Sequence, residues 1–315
     1  MPFRSAAFAL VLLLFTAPLA KAGVGFQHFS IPDPQGPPIE VGVWYPADQS
    51  ANGAPVAGAH LPLVVMSHGT GAHFAAHRDT AVALAEAGFV AAALTHTGDN
   101  YRDHSRAIQI WDRPRQLKVL TDYMLSTWAG RDRIDPGRIG AFGFSAGGFT
   151  VLAAAGGEPD LSAIQAHCQA HPDYFDCKLI AAAGKAAGPP AGFTWTHDSR
   201  IRSVVAAAPA LGFTFGRQGL AQIHQPVQLW RAENDQVLPN PDYAEAVRAA
   251  LPRAPEFHLV ANAGHYDFLN TCSADLAQEA PEICTSAPGF DRSAFHAEFN
   301  RDVVAFFRRT LPPAP

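Results

Sequence analysis

Along the chain, fully apolar runs alternate with stretches in which apolar positions recur every three or four residues. Ile39–Ala47 ("IEVGVWYPA") reads as an early strand closed by proline. Leu61–Gly69 ("LPLVVMSHG") is a continuous apolar run ending in His-Gly, the pattern of a strand covered on both faces. Helical spacing follows over Ala75–Ala87, with Gly88 as its stop signal. Phe89–His96 predicts a further strand, and Pro114–Trp128 a longer helix. The segment "DPGRIGAFGFS" is a turn leading into a short strand that ends at Ser145, and "GGFTVLAAAGG" is the helix that leaves it. Ile201–Ala210, Pro226–Glu233 and Pro255–Ala263 predict three more strands, with a helix over Pro241–Leu251 before the last. Ser293–Leu311 predicts a terminal amphipathic helix, because Phe295, Phe299, Val303, Phe306 and Phe307 share one face.

Strands that alternate with helices imply an α/β fold, with a mainly parallel sheet covered by helices on both faces. Two stretches break the rhythm, one from about Gly156 to Arg200 and one from about Asn270 to Asp291. Each carries one pair of cysteines, and both read as insertions on a single domain. No internal repeat is visible.

The N-terminus changes the picture. "MPFRSAAFALVLLLFTAPLAKAG" has a positive start at Arg4, an apolar centre from Ala6 to Phe15, and small residues at Ala20 and Ala22. That is the layout of a secretory signal peptide cleaved after Ala22. The competing reading, an anchor helix, has too short an apolar centre for a comfortable span. The expectation is a signal peptide over residues 1–22 and one catalytic domain over 23–315, secreted or periplasmic, with no integral membrane span after cleavage.

The four cysteines agree with an oxidising compartment, and the simplest pairing is Cys168 with Cys177 and Cys272 with Cys284. His167, Cys168, His171 and Cys177 form a competing zinc set, but their spacing is not a standard ligand pattern. Disulfides are therefore expected, and no metal or other cofactor. A formal net charge of −5 without long basic runs gives no reason to expect nucleic acid as a partner. Oligomeric state is not legible.

The chemistry centres on Gly143-Phe144-Ser145-Ala146-Gly147, a Gly-x-Ser-x-Gly pattern between a strand and a helix. A tight turn there lifts the hydroxyl clear of the sheet, and the small flanking residues permit it. A serine hydroxyl is a weak nucleophile, so it needs a base, and the base needs an orienting acid. His265, just after the last strand, is the candidate base. Asp235, in the loop of "RAENDQVLP", is the candidate acid, with Glu233 a rival two residues away. Asp267 is too close in sequence to His265 to serve. The candidate oxyanion donors are the backbone N–H groups of Ala146, directly after the serine, and of Thr70 in "SHGTGAH". His68 in the same turn reads as structural, while His73 and His96 are candidates for the pocket edge.

In this order, "SHGTGA", "DPGRIGAFGFSAGG", "ENDQVLP" and "AGHYDF" resemble the α/β-hydrolase superfamily. "VGVWYPA" and "RPRQLKVLTDYML" resemble bacterial proteins related to dienelactone hydrolases and platelet-activating factor acetylhydrolases, over roughly Val41 to Phe268. Two departures stand out. Dienelactone hydrolases use a cysteine nucleophile where this chain has Ser145. In the eukaryotic platelet-activating factor enzymes the acid follows the strand just after the nucleophile, but here that strand ends "VVAAAPALGF" with no carboxylate. The resemblance implies a serine hydrolase of small-molecule or lipid-like carboxylic esters acting through an acyl-enzyme. The alternatives are a peptidase or amidase with the same residues, and a non-catalytic binding protein on the same fold.

Overall fold

The computed structural model describes residues 23–184 and 188–313. The expected signal peptide, residues 1–22, lies outside the described residues. Strands β1 (Gly23–Ile31), β2 (Ile39–Ala47), β3 (Leu61–Ser67), β4 (Val90–Thr95), β5 (Ile134–Phe144), β6 (Ile201–Ala207), β7 (Val227–Ala232) and β8 (Glu256–Val260) make one sheet. Their order is β1-β2-β4-β3-β5-β6-β7-β8. β1 and β2, and β2 and β4, pair antiparallel, and every later pairing is parallel.

The continuous apolar runs exist because both faces of the sheet are covered. Toward one face point Leu63, Val65, Ala92, Leu94, Ile139 and Ala141. They meet helix α2 (Asp112–Ser126) through Leu117, Leu120 and Met124, and helix α3 (Ala146–Ala154) through Phe149 and Leu152. Toward the other point Val64, Met66, Ala91, Ala93, Phe142 and Phe144. Helix α1 (Arg78–Glu86) and the terminal helix cover that face. The terminal helix runs Arg292–Thr310, and all five expected apolar-face residues are buried. Truncating a buried phenylalanine such as Phe299 in such a core costs about 3–5 kcal/mol.

Three details differ from the expectations. β1 carries little apolar signal, because Gln27, His28 and Ser30 interrupt it, with His28 and Ser30 exposed; pairing with β2 makes it a strand. The expected turn at Asp135-Pro136-Gly137 is an irregularity inside β5, where the register with β3 shifts between Leu61 and Leu63. Helix α1 starts at Arg78 rather than near Ala75. Phe74 N–H donates to Thr95 Oγ1, and Ala75 N–H to His73 Nδ1, which holds the approach in turns.

Both insertions fold into short helices stapled by the expected bridges. The first holds α4 (Ala163–Ala170) and α5 (Phe175–Ala182), joined by Cys168–Cys177. Between β7 and β8 lies α6 (Ala244–Ala250). The second insertion holds α7 (Ala274–Glu279) and α8 (Pro281–Cys284), tied by Cys272–Cys284, before the terminal helix, α9. Among the described residues, no helix is long and apolar enough to cross a membrane.

Candidate active site

β5 runs straight into Ser145, whose backbone sits at φ 55°, ψ −120°, a region costly for any residue with a side chain. The turn is held by Ser145 N–H donating to Ala207 O at 2.9 Å and by Ser145 O accepting from Ala210 N–H at 2.9 Å. Gly143 and Gly147 are required by space: a Cβ at Gly147 would lie 1.9 Å from Ser67 O, and one at Gly143 2.0 Å from Gly147 O. Strand and helix approach this closely only without side chains.

His265 opens a tight helical turn beyond β8 and is buried against Phe144. Its Nε2 lies 3.1 Å from Ser145 Oγ and its Nδ1 2.8 Å from Asp235 Oδ2. The tautomer consistent with both has Nδ1–H donating to the carboxylate and Nε2 accepting from the hydroxyl. Asp235 is itself pinned, because its Oδ1 accepts from Val237 N–H at 3.0 Å and Leu238 N–H at 2.7 Å. Glu233 turns elsewhere: its Oε2 accepts from Asn262 N–H at 2.8 Å.

Asp267 has a different job, which the sequence did not reveal. Its Oδ2 accepts from Gly264 N–H at 2.7 Å, and its Oδ1 pairs with Arg292 Nη2 at 3.0 Å. It thus fastens the histidine loop to α9.

Ala146 is the first residue of α3, so its N–H has no acceptor within the helix. Thr70, on the loop after β3, lines the same pocket as Ser145 and Ala146. Behind that loop is a buried polar network centred on Arg113 of α2. Its guanidinium donates to Asp99 Oδ2 at 2.5 Å, to Thr150 Oγ1 at 3.1 Å and to the carbonyl of His68. Asp99 Oδ1 accepts from Gly71 N–H at 2.9 Å, and Thr150 Oγ1 donates to Ala146 O at 2.7 Å. One cation therefore holds both segments that carry the candidate oxyanion donors.

His68 and His96 belong to this support. His68 Nδ1–H donates to Gly69 O at 2.6 Å, and its Nε2 accepts from His96 N–H at 3.0 Å. His96, expected at the pocket edge, is fully buried between Ser67 Oγ and Gln116 Oε1 and does not reach it. Burial, and next the Arg113 charge, pull both imidazoles well below their usual range, so they stay neutral.

Residues 52–189 match the dienelactone hydrolase family. The matched span contains Thr70 and Ser145 and ends before Asp235 and His265. Among solved structures, a ferulic acid esterase from Streptomyces cinnamoneus superposes with a TM-score of 0.63 at 18% identity, covering 95% of this chain and 93% of that one. Comparison with curated proteins gives no match.

The chain has the α/β-hydrolase fold and resembles the dienelactone hydrolases.

The family match supports an ester hydrolase. Two clefts meet at Ser145. One is narrow and apolar, between Ile108, Ile110 and Trp111 on one side and Leu161, Leu179 and Ile180 of the first insertion on the other. The second is wider, carries His73 and His265, and is closed by the second insertion through Thr271, Leu276 and Ile283. Among the described residues, Tyr101, Phe175, Leu259 and Leu276 are the large exposed hydrophobics, and all but Leu259 rim the wide cleft. Exposed apolar groups gathered at a cleft mouth are a feature of ligand-binding and interaction surfaces.

Both cysteines of the competing zinc set are spent in the Cys168–Cys177 bridge, which removes them as thiolate ligands. His167 and His171 do converge with Asp242, their ligand atoms lying within 4.8 Å of one another.

Proposed function

We propose that this chain is an exported serine esterase that cleaves carboxylic esters through an acyl-enzyme on Ser145. His265 Nε2 takes the hydroxyl proton as Ser145 Oγ attacks the ester carbonyl. Asp235 holds the tautomer with Nδ1 protonated and stabilises the imidazolium that forms. The N–H groups of Thr70 and Ala146 receive the oxyanion. The imidazolium then protonates the leaving alcohol, and water, activated by the same histidine, releases the acid.

The observation that carries this proposal is the hydrogen-bonded chain from Ser145 Oγ through His265 to Asp235, at 3.1 and 2.8 Å. Export is supported by the N-terminal pattern of residues 1–22 and by two disulfides. The natural site of action is then the periplasm or the exterior.

The test is hydrolysis of p-nitrophenyl acetate against acetyl p-nitroanilide, together with an organophosphonate that reacts with activated serines. We expect ester turnover, a covalent adduct on Ser145, and loss of several orders of magnitude in the S145A variant. Faster anilide turnover would assign a peptidase or amidase. No turnover and no adduct would leave a binding protein on this fold.

A further inference from the structure

The position of His265 decides which part of an ester enters which cleft. When the tetrahedral intermediate collapses, the bond from carbon to the alcohol oxygen breaks and the imidazolium gives that oxygen its proton. The alcohol therefore departs on the side that the histidine occupies. His265 lines the wide cleft and is absent from the wall of the narrow one. The wide cleft is thereby the place of the alcohol, and the narrow one is left for the acyl group.

The two spaces differ in size and in their walls. The narrow cleft measures about 50 Å³ and the wide one about 580 Å³. The narrow wall is largely apolar, with Ile108 and Trp111 on one side and Leu161 and Leu179 on the other. The wide wall adds polar groups, among them Asn270, Thr271 and Ser273.

Three residues line both clefts: Thr70, Ser145 and Phe175. The first two belong to the reacting centre. Phe175 does not. It opens α5, next to the bridge that ties this helix to α4, and it is 41% exposed. A phenylalanine left so open forgoes much of the stabilisation that burial of its ring would bring. It stands where a bound ester would cover it.

We propose that Phe175 is the partition between an acyl site and an alcohol site, so that the enzyme selects esters joining a slender, unbranched apolar acid to a bulky alcohol. This rests on the esterase reading above. Phe175 takes no part in proton transfer or oxyanion binding; its ring closes the side of the narrow cleft that faces the wide one. Width then decides which acids enter, because a branched chain must displace the ring or the bridged helix that carries it. The alcohol meets no such limit in the larger space.

The experiment measures kcat/KM on two sets of esters. The first varies the acid: p-nitrophenyl heptanoate against its isomer whose chain ends in a tert-butyl group. The two have equal composition, and the branch lies too far from the carbonyl to alter its reactivity. The second varies the alcohol: the heptanoates of ethanol, phenethyl alcohol and naphthylethanol. The wild type should favour the unbranched acid by about tenfold or more, and its rate should hold or rise as the alcohol grows. In F175A the acyl preference should shrink toward one, while F175L, which keeps apolar bulk, should retain most of it. Circular dichroism and organophosphonate labelling of Ser145 check that both variants fold with a working centre. Equal rates on the two acids in the wild type would overturn the proposal, as would a preference that F175A leaves unchanged. A rate that falls as the alcohol grows would also overturn it, by reversing the assignment of the clefts. Failure of the esterase reading looks different: no ester of either set would turn over, and Ser145 would take no organophosphonate.

Discussion

Asp235 Oδ2 meets His265 Nδ1 at 2.8 Å, while Glu233, two residues earlier in the same loop, spends its carboxylate on the backbone N–H of Asn262. The difference follows from the strand. Glu233 is still tied to β8, its N–H donating to Val260 O, whereas by Asp235 the chain has turned over the sheet edge toward the histidine loop. D235N should therefore lower kcat/KM by several orders of magnitude, since an amide supports the wrong imidazole tautomer. E233Q should lower it by about tenfold or less, as expected of a neighbouring charge. Steady-state kinetics of both variants on one ester decide the matter; a dead E233Q with an active D235N would reverse the assignment.

The two bridges close loops with sequence separations of 9 and 12 residues. In the chain-entropy account each contributes up to about 3 kcal/mol. Reduction should lower the melting temperature, and non-reducing peptide maps should recover both pairs. Because the first bridge anchors α5, the paired variant C168S/C177S should raise KM for longer acyl groups more than it changes turnover of acetate esters. Equal effects on both substrates would show that longer acyl groups do not enter the narrow cleft lined by α5.

Arg113 and Asp99 are both almost fully buried, and their pair joins the Thr70 loop to α3. Removing one partner leaves an uncompensated buried charge, so R113M should destabilise the fold by about 3–5 kcal/mol in urea denaturation. The double variant R113M/D99L should cost less than the sum of its singles, because no charge is stranded. Strict additivity would show that the two groups act independently.

His77 is buried against Phe142 and Phe144, and neither ring nitrogen has a hydrogen-bond partner among the described residues. Burial is the main cause that lowers it from 6.5 to about 4, partly opposed by the nearby Asp79. The unfolded chain thus binds a proton that the folded chain refuses between these two values. Stability from this group is complete above about pH 6.5 and falls as pH drops toward about 4, by on the order of 3 kcal/mol. Urea midpoints across that interval should show the slope in the wild type and a shallower one in H77F. Identical slopes would mean that His68 and His96 carry the effect.

What the sequence determined is what local pattern can encode. The apolar runs of β3 and β4 are visible because both faces of these strands are buried along their whole length. The turn at Ser145 is visible because the close approach of strand and helix excludes side chains at Gly143 and Gly147, and that exclusion is written into residue type. Asp235 and His265 were legible as positions, each just past a strand end, since topology brings those ends to one edge of the sheet. β1 was not, because its pattern is half polar and only its ladder with β2 makes it a strand.

The tertiary structure decided everything that depends on which side chain meets which. Arg113 looks like any charged residue at a helix start until folding sets it against Asp99, His68 O and Thr150, 14 to 45 residues away in the chain. Asp176 looks like a first-turn acid of a helix until folding sets it against the Tyr243 hydroxyl, 67 residues away in the chain. Periodicity records how a segment is covered, but not by what. The partner of a buried polar atom comes from a distant part of the chain, and only the folded arrangement brings the two together.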